Sequence, residues 1–312
     1  MKWFVEGKWG TKSLVALYLS VLSGLVLALQ YDLSVPFYST GTLELVVPFG
    51  AFWRSLHFFS SQFFFFLLLV HLAVVLIARY FYQDGKVDLP SKGPVKTTDN
   101  DGERWLKLVL SVPVALLLLF TGYILRADAT GASAGIIAEN IIVAIPLLGN
   151  WFNSVLFNIS GSGMKVVYAN HLIGLGVLWG YLVWEHLRKY RVSWQNNGPL
   201  VIIVLVVSLI WVAPIEPFLP GEFHISGPWF FVGLQEMLRI IQPIWAGVVF
   251  PGLALVLFYQ VSLCSLIYFV ASFFESAHGH KSAALFKILA SRSRTKILIS
   301  GRTLDKELRG GG

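Results

Sequence analysis

Six stretches of this chain, near residues 13–31, 56–82, 106–126, 165–187, 199–215 and 243–274, are apolar over roughly the length of a bilayer-spanning helix. A hydrocarbon core about 30 Å thick takes about 20 mostly apolar helical residues. The expected fold class is therefore an all-α integral membrane protein. Composition agrees: 56% of the 312 residues are hydrophobic and 13% are charged, the mean hydropathy is +0.69, and a soluble domain carries roughly 25% charged residues. With the runs labelled helices A to F in chain order, F contains Pro251 and is over-long, so it is expected to kink or to protrude beyond the lipid.

Six crossings put both termini on one side, and the basic residues say which. Lys and Arg accumulate on the cytoplasmic face. Lys2, Lys8 and Lys12 precede helix A; Arg79, Lys86, Lys92, Lys96 and Arg104 surround the B–C loop; Arg188, Lys189 and Arg191 follow helix D; and eight more basic residues follow His278. Both termini are thus expected in the cytoplasm. The opposite loops hold Arg54, Arg126, Lys165 and Arg239. The tail from Ser282 mixes Leu and Ile with Lys and Arg, a pattern suited to a basic amphipathic helix on an anionic leaflet. Cys264 is the single cysteine, which excludes internal disulfides, a Cys-ligated iron–sulfur cluster and a Cys-x-x-Cys-His haem attachment.

Four of the seven histidines lie in spans: His57 and His71 on helix B, His171 and His186 on helix D. An ionisable residue at that depth is a functional candidate by default. Spacings of 14 and 15 residues return a helix to within about 40° and 60° of its starting face, so each helix offers two imidazoles on one side, roughly 21–23 Å apart. Two neighbouring helices of this kind make two opposed imidazole pairs, one near each membrane surface. Bis-imidazole ligation leaves a haem iron no open position and suits electron transfer. Zinc is the rival ligand, although two imidazoles without a Cys or carboxylate beside them fit a tetrahedral site badly. Small residues that would admit a flat porphyrin are Gly24 in helix A, Gly122 in helix C and Gly174, Gly176 and Gly180 in helix D. Arg54, one turn before His57, is placed to pair with a haem propionate.

These residues resemble the cytochrome b family of the bc and bf quinol-oxidising complexes, along most of residues 12–245. Trp53-Arg54-Ser55-Leu56-His57 followed by His71 is similar to the family's Arg-x-x-His and second histidine, and the 15-residue gap from His171 to His186 is like the bf branch. Thr121-Gly122-Tyr123-Ile124-Leu125 resembles the end of the family's third helix, and Ile141 to Gly149 the short helices that roof its quinol site. His224-Ile225-Ser226-Gly227-Pro228-Trp229-Phe230-Phe231 with Leu238-Arg239 is similar to its E–F loop.

The resemblance implies a four-helix dihaem bundle from helices A–D with two further transmembrane helices, E and F. It divides the chain into a dihaem domain over 1–190, a two-helix domain over 191–275 and a basic tail over 276–312. It further implies two haem b groups, one held by His57 with His171 toward the outer face and one by His71 with His186 toward the cytoplasm, and reaction with a membrane quinone, menaquinone or ubiquinone. The expected setting is a bacterial inner or other energy-transducing membrane. The implied partners are a Rieske-type iron–sulfur protein, c-type cytochrome subunits and a second copy of the chain; no nucleic-acid partner is expected.

This sequence also departs from the pattern. Pro228 and Phe230 stand where the family keeps the Glu and Tyr of its quinol site, and Arg126-Ala127-Asp128 replaces the Pro-Trp-x-Gln that ends its third helix. Glu236 is the first candidate for a substitute proton acceptor, with Glu222, His224, Asp128 and Glu139 behind it; pairing of Glu236 with Arg239 is the plainer reading. Two other functions compete with a quinol oxidoreductase subunit. One is a haem-b anchor joining a dehydrogenase or multihaem cytochrome to a single quinone site, and the other is a proton-coupled transporter, for which no inverted repeat or interrupted span speaks.

Overall fold

The computed structural model describes residues 7–83, 101–189, 191–218 and 227–260, so Glu222, His224, Cys264 and the basic tail lie outside the described residues. Contacts divide the chain into one unit of Met1–Val74 with Lys96–Val256 and another of Val75–Val95 with Leu257–Gly312. The account below concerns the first unit and the ends of two helices that run on into the second. Described residues form helices and connecting segments, without a strand.

Four helices are long and apolar enough to cross a membrane: Trp9–Ala28, Gly50–Leu76, Glu103–Leu125 and Lys165–Leu187. They correspond to helices A–D. The chain begins with α1 (Trp9–Ala28), a short α2 (Pro36–Leu45) and the long α3 (Gly50–Gln83), then α4 (Asp101–Leu125). Next come α5 (Ala129–Val143), α6 (Gly149–Leu156), the single turn α7 (Ile159–Ser162) and α8 (Lys165–Ala169). A π-helical turn over Asn170–Gly174 joins α8 to α9 (Leu175–Leu187), so helix D is one rod with a π turn inside it.

Packing of the four long helices follows from where their small and aromatic residues fall. The face that α1 buries carries Ser13, Ala16, Ser20 and Ser23, which let backbones approach closely in a medium that gives helices no hydrophobic drive to associate. Ser13 Oγ donates across that interface to the Phe64 carbonyl at 3.0 Å. Ala16, Phe64, Phe65, Leu67, Ala115, Leu119, Leu175, Trp179 and Leu182 then make one core from all four rods. The outer surface is the reverse: Leu22, Ile173 and Val177 are each more than 60% exposed, as lipid-facing side chains are.

A second core of Phe120, Ile124, Ala138, Phe157, Met164 and Val167 joins the end of α4 to the α5–α8 region. The reversal between α4 and α5 turns on Ala127, whose φ is +53°. Asp128 follows as the N-cap of α5 and accepts from the Gly131 amide at 2.9 Å, satisfying one of the donors that a helix start leaves open. The stretch Ile141–Gly149, expected to form short helices, is instead the end of α5 and the tight turn into α6, with Leu147 at φ +66°.

Helix E differs from expectation in its bounds, and helix F is described only as far as Gln260. Helix E is α10 (Trp194–Ile210), 17 residues that start and stop about five positions earlier than the hydropathy suggested. Trp211 is already extended, and Pro214 biases the residue before it away from helix, so the apolar residues up to Ile215 belong to an extended segment. After a 3-10 turn at Trp229–Phe231, α11 covers Val232–Leu238. Helix F opens with a π turn at Trp245–Val249 and continues as α12 (Phe250–Gln260). Pro251 sits directly behind that turn, which absorbs the hydrogen bond a proline cannot make.

Candidate functional site

Four long helices bring the four intramembrane histidines together in two pairs. His57 of α3 faces His171 of the π turn with ring centroids 6.0 Å apart, and His71 faces His186 of α9 at 6.1 Å. The positions on α3 are 14 residues apart, which separates the pairs by about 21 Å along the helix. On the partner rod the spacing is 15. A π turn inserts one residue into an α-helix, so the turn at Asn170–Gly174 takes up the extra residue and restores the phase that a regular helix would have lost.

Both imidazoles of the His57–His171 pair are held by Nδ1. His57 Nδ1 lies 2.8 Å from the Ser20 carbonyl, and His171 Nδ1 lies 3.0 Å from the Leu118 carbonyl and 3.0 Å from Thr121 Oγ. A carbonyl only accepts, so Nδ1 carries the hydrogen and Nε2 keeps a bare lone pair. That is the tautomer of a metal-binding histidine whose second nitrogen is anchored to the backbone. Two metal–imidazole bonds of about 2 Å, with the ring radii added, span about 6 Å, close to both ring separations. Among the described residues no group of three or more His, Cys, Asp or Glu gathers at one point. Two protein ligands per ion leave a tetrahedral zinc site incomplete and suit an ion whose remaining ligands come from a planar macrocycle.

The surroundings admit such a plane. A cavity of about 770 Å³ is lined by His57, His171, Gly24, Gly122, Gly176 and Gly180 among others, and ligand cavities of this kind run from about 300 to 1,000 Å³. A Cβ added at Gly24 would stand 2.8 Å from His57 Cε1, and one at Gly122 would stand 2.9 Å from His171 Cε1. At Gly176 and Gly180 an added Cβ would meet nothing within 4 Å, because the cavity itself lies above them. Gly174 differs: its missing side chain makes room for Asn170 Oδ1. Gly10 was not anticipated from sequence. Its Cβ would come within 3.1 Å of the His71 ring, the counterpart of Gly24 under the other pair. The 14-residue step from Gly10 to Gly24 equals the step from His57 to His71, and that equality is the signal that could have found it.

The charged candidates are disposed as follows. Arg54 lines the cavity, but its Nε pairs with Glu44 at 2.5 Å and its Nη1 and Nη2 donate to the carbonyls of Pro214 and Ala213. Asp128, fully buried, caps α5, pairs with Arg126 at 2.5 Å and accepts the Glu216 amide. Burial pushes the Glu139 carboxyl up, yet hydrogen bonds from Ser160, Asn153 and nearby amides hold it below the ordinary carboxylate range. It serves the start of α7. Glu236 is exposed, points toward Arg239 at 3.4 Å and does not line the cavity. Pro228 immediately precedes the 3-10 turn, and Phe230 reaches the cavity and packs edge-on against Tyr123.

No family model matches the chain. A cytochrome b of Dictyostelium citrinum is 24% identical over 309 residues, covering 87% of this chain and 76% of that protein. A solved chain of a hyperthermophilic respiratory complex III superposes with a TM-score of 0.54 at 20% identity, over 82% of this chain and 74% of that one, a likeness of fold. Two opposed imidazole pairs on a four-helix scaffold accompany a likeness to cytochrome b that runs along most of the chain.

Proposed function

We propose that this chain is the dihaem cytochrome b subunit of a bc-type quinol oxidoreductase, moving electrons across the membrane between a quinone and redox partner subunits. The observation that carries the reading is the pair of facing imidazoles at each end of the bundle, 6.0 and 6.1 Å between rings. His57 with His171 would hold the outer haem b, and His71 with His186 the inner one. When bound, each haem iron takes up and releases a single electron. The carbonyls of Ser20 and Leu118 fix the outer rings with Nε2 directed to ligation. Gly10, Gly24 and Gly122 leave the rings unobstructed, and the apolar walls, with Trp179 and Leu119, keep water from the site. Quinone, a Rieske-type protein or a c-type cytochrome, and a second copy of the chain complete the assembly, with both termini in the cytoplasm.

A second reading is favoured by one observation: Pro228 and Phe230 stand at the two positions where the resemblance leads one to expect a proton acceptor and a phenol, and Glu236 turns away toward Arg239. On that reading the same two haems join an external dehydrogenase or multihaem cytochrome to a single quinone site, without bifurcation. A redox titration of the purified full chain, followed optically, tests the dihaem assignment. Two b-type components are expected. His57→Ala and His171→Ala should remove one and the same component, and His71→Ala and His186→Ala the other. Loss of the same component from all four variants overturns it.

A further inference from the structure

The geometry points to Arg126, and not Arg54, as the residue that binds the propionate carboxylates of the outer haem, an inference that rests on the dihaem reading above. Both arginines line the cavity. Arg54 is already committed: Glu44 neutralises it at 2.5 Å, and both terminal nitrogens donate to the backbone of the extended segment after α10. A second carboxylate approaching it would meet the charge of Glu44. Arg126 keeps capacity. Its Nη2 holds Asp128 at 2.5 Å and Thr130 Oγ at 2.9 Å, while its Nε is buried and without a hydrogen-bond partner among the described residues. The side chain is 10% exposed and its guanidinium lies 4.5 Å above the Tyr123 ring, which fixes its plane.

Two further features agree. Asp128 spreads its charge over the amides of Gly131 and Glu216 and the hydroxyl of Thr130 as well as Arg126, so the guanidinium is only partly compensated. Arg126 also follows Gly122, the residue against the His171 ring, by four positions. Four helical residues rise about 6 Å, which sets the guanidinium one turn outward of the imidazole pair, where carboxylates on the edge of a macrocycle lying between the rings would emerge. A carboxylate in the cavity would meet the partly compensated guanidinium through a charge-assisted contact.

The test is a redox titration of the full chain carrying its haems, comparing Arg126→Gln with Arg54→Gln; the outer component is the one absent from His57→Ala. Loss of a cation beside a propionate leaves more negative charge near the iron and disfavours reduction. Arg126→Gln should shift the outer reduction equilibrium at least tenfold toward the oxidised form, which is about 59 mV for one electron, and leave the inner one alone. Arg54→Gln should shift it less than about threefold on the same scale. An unchanged outer potential in Arg126→Gln, or a larger shift in Arg54→Gln, overturns the inference. Because Asp128 loses its partner in Arg126→Gln, a second arm uses wild-type chain reconstituted with haem whose propionates are methyl esters. Esterification removes negative charge and should shift the outer equilibrium the opposite way, toward the reduced form, and Arg126→Gln should then have less effect than it has with the natural haem; an equal Arg126→Gln shift with and without esterification would show that Arg126 acts elsewhere. Wild-type chain without a b-type band would instead defeat the dihaem reading, an outcome distinct from an unaltered potential.

Discussion

Gly24 lies so close to the His57 ring that a single added carbon would stand 2.8 Å from Cε1, well inside the roughly 3.5–4.0 Å at which carbon atoms pack. The imidazole therefore owes its position to the absence of a side chain on the neighbouring helix.

On the proposed dihaem reading, Gly24→Val should displace His57 and lower occupancy of the haem held by the His57–His171 pair alone, and Gly10→Val should do the same, through His71, to the haem of the other pair. Overpacking costs about 1–3 kcal/mol, enough to weaken a bound cofactor about tenfold or more. Haem content per chain with the optical spectrum of each variant measures this. Equal loss of both components from either variant would refute the one-glycine, one-pair correspondence.

The π turn at Asn170–Gly174 accounts for the unequal histidine spacings, and it can be edited. Deleting Ile173, an exposed residue of that turn, should return helix D to plain α geometry and preserve both pairs. Inserting one alanine after Gly180 should rotate His186 by about 100° relative to His171 and abolish the inner component. Spectra of the two variants decide; retention of both components after the insertion would show that the helix is not rigid enough for phase to matter.

Glu44 and Arg54 form a mostly buried ion pair, with side chains 14% and 8% exposed. Removing one partner of such a pair strands the other, at about 3–5 kcal/mol. Glu44→Gln should lower the thermal midpoint of the purified chain clearly, and Glu44→Gln with Arg54→Gln together should recover part of the loss. A double variant as unstable as the sum of the singles would mean that the two residues act independently.

Glu139 predicts a pH dependence with a definite sign. Its carboxyl sits below the ordinary range in the folded chain because the hydrogen bonds from Ser160 and Asn153 outweigh burial. A depressed folded value stabilises above the unfolded value, and that contribution fades as pH falls through the folded one. Protease sensitivity of the α5–α8 region should rise below about pH 4 in the wild type and should depend less on pH in Glu139→Gln. Equal acid sensitivity in both would remove Glu139 from the account.

Glu236→Gln should leave quinol-dependent haem reduction within about twofold of wild type, because an exposed pair with Arg239 contributes little. A tenfold slowing, the size expected when a general base is lost, would restore it as the proton acceptor.

What was legible in the sequence is what a single helix determines. Span length follows from hydropathy, because lipid forbids an unpaired backbone, and helices A to D fell where their apolar runs are. The shared face of His57 and His71, and the small residues at Gly24 and Gly122, are properties of 3.6-residue periodicity and could be read before any fold was known. The tertiary structure decided everything that depends on a second element. It chose which histidine faces which and placed the π turn that corrects the phase of His171. It gave Arg54 to Glu44 and to the carbonyls of Ala213 and Pro214, left Arg126 Nε without a partner among the described residues, and turned Glu236 outward. Hydropathy and periodicity are summed along one chain segment, whereas a charge finds its partner across the bundle, from residues 10 to 160 positions away, and no local pattern encodes that choice.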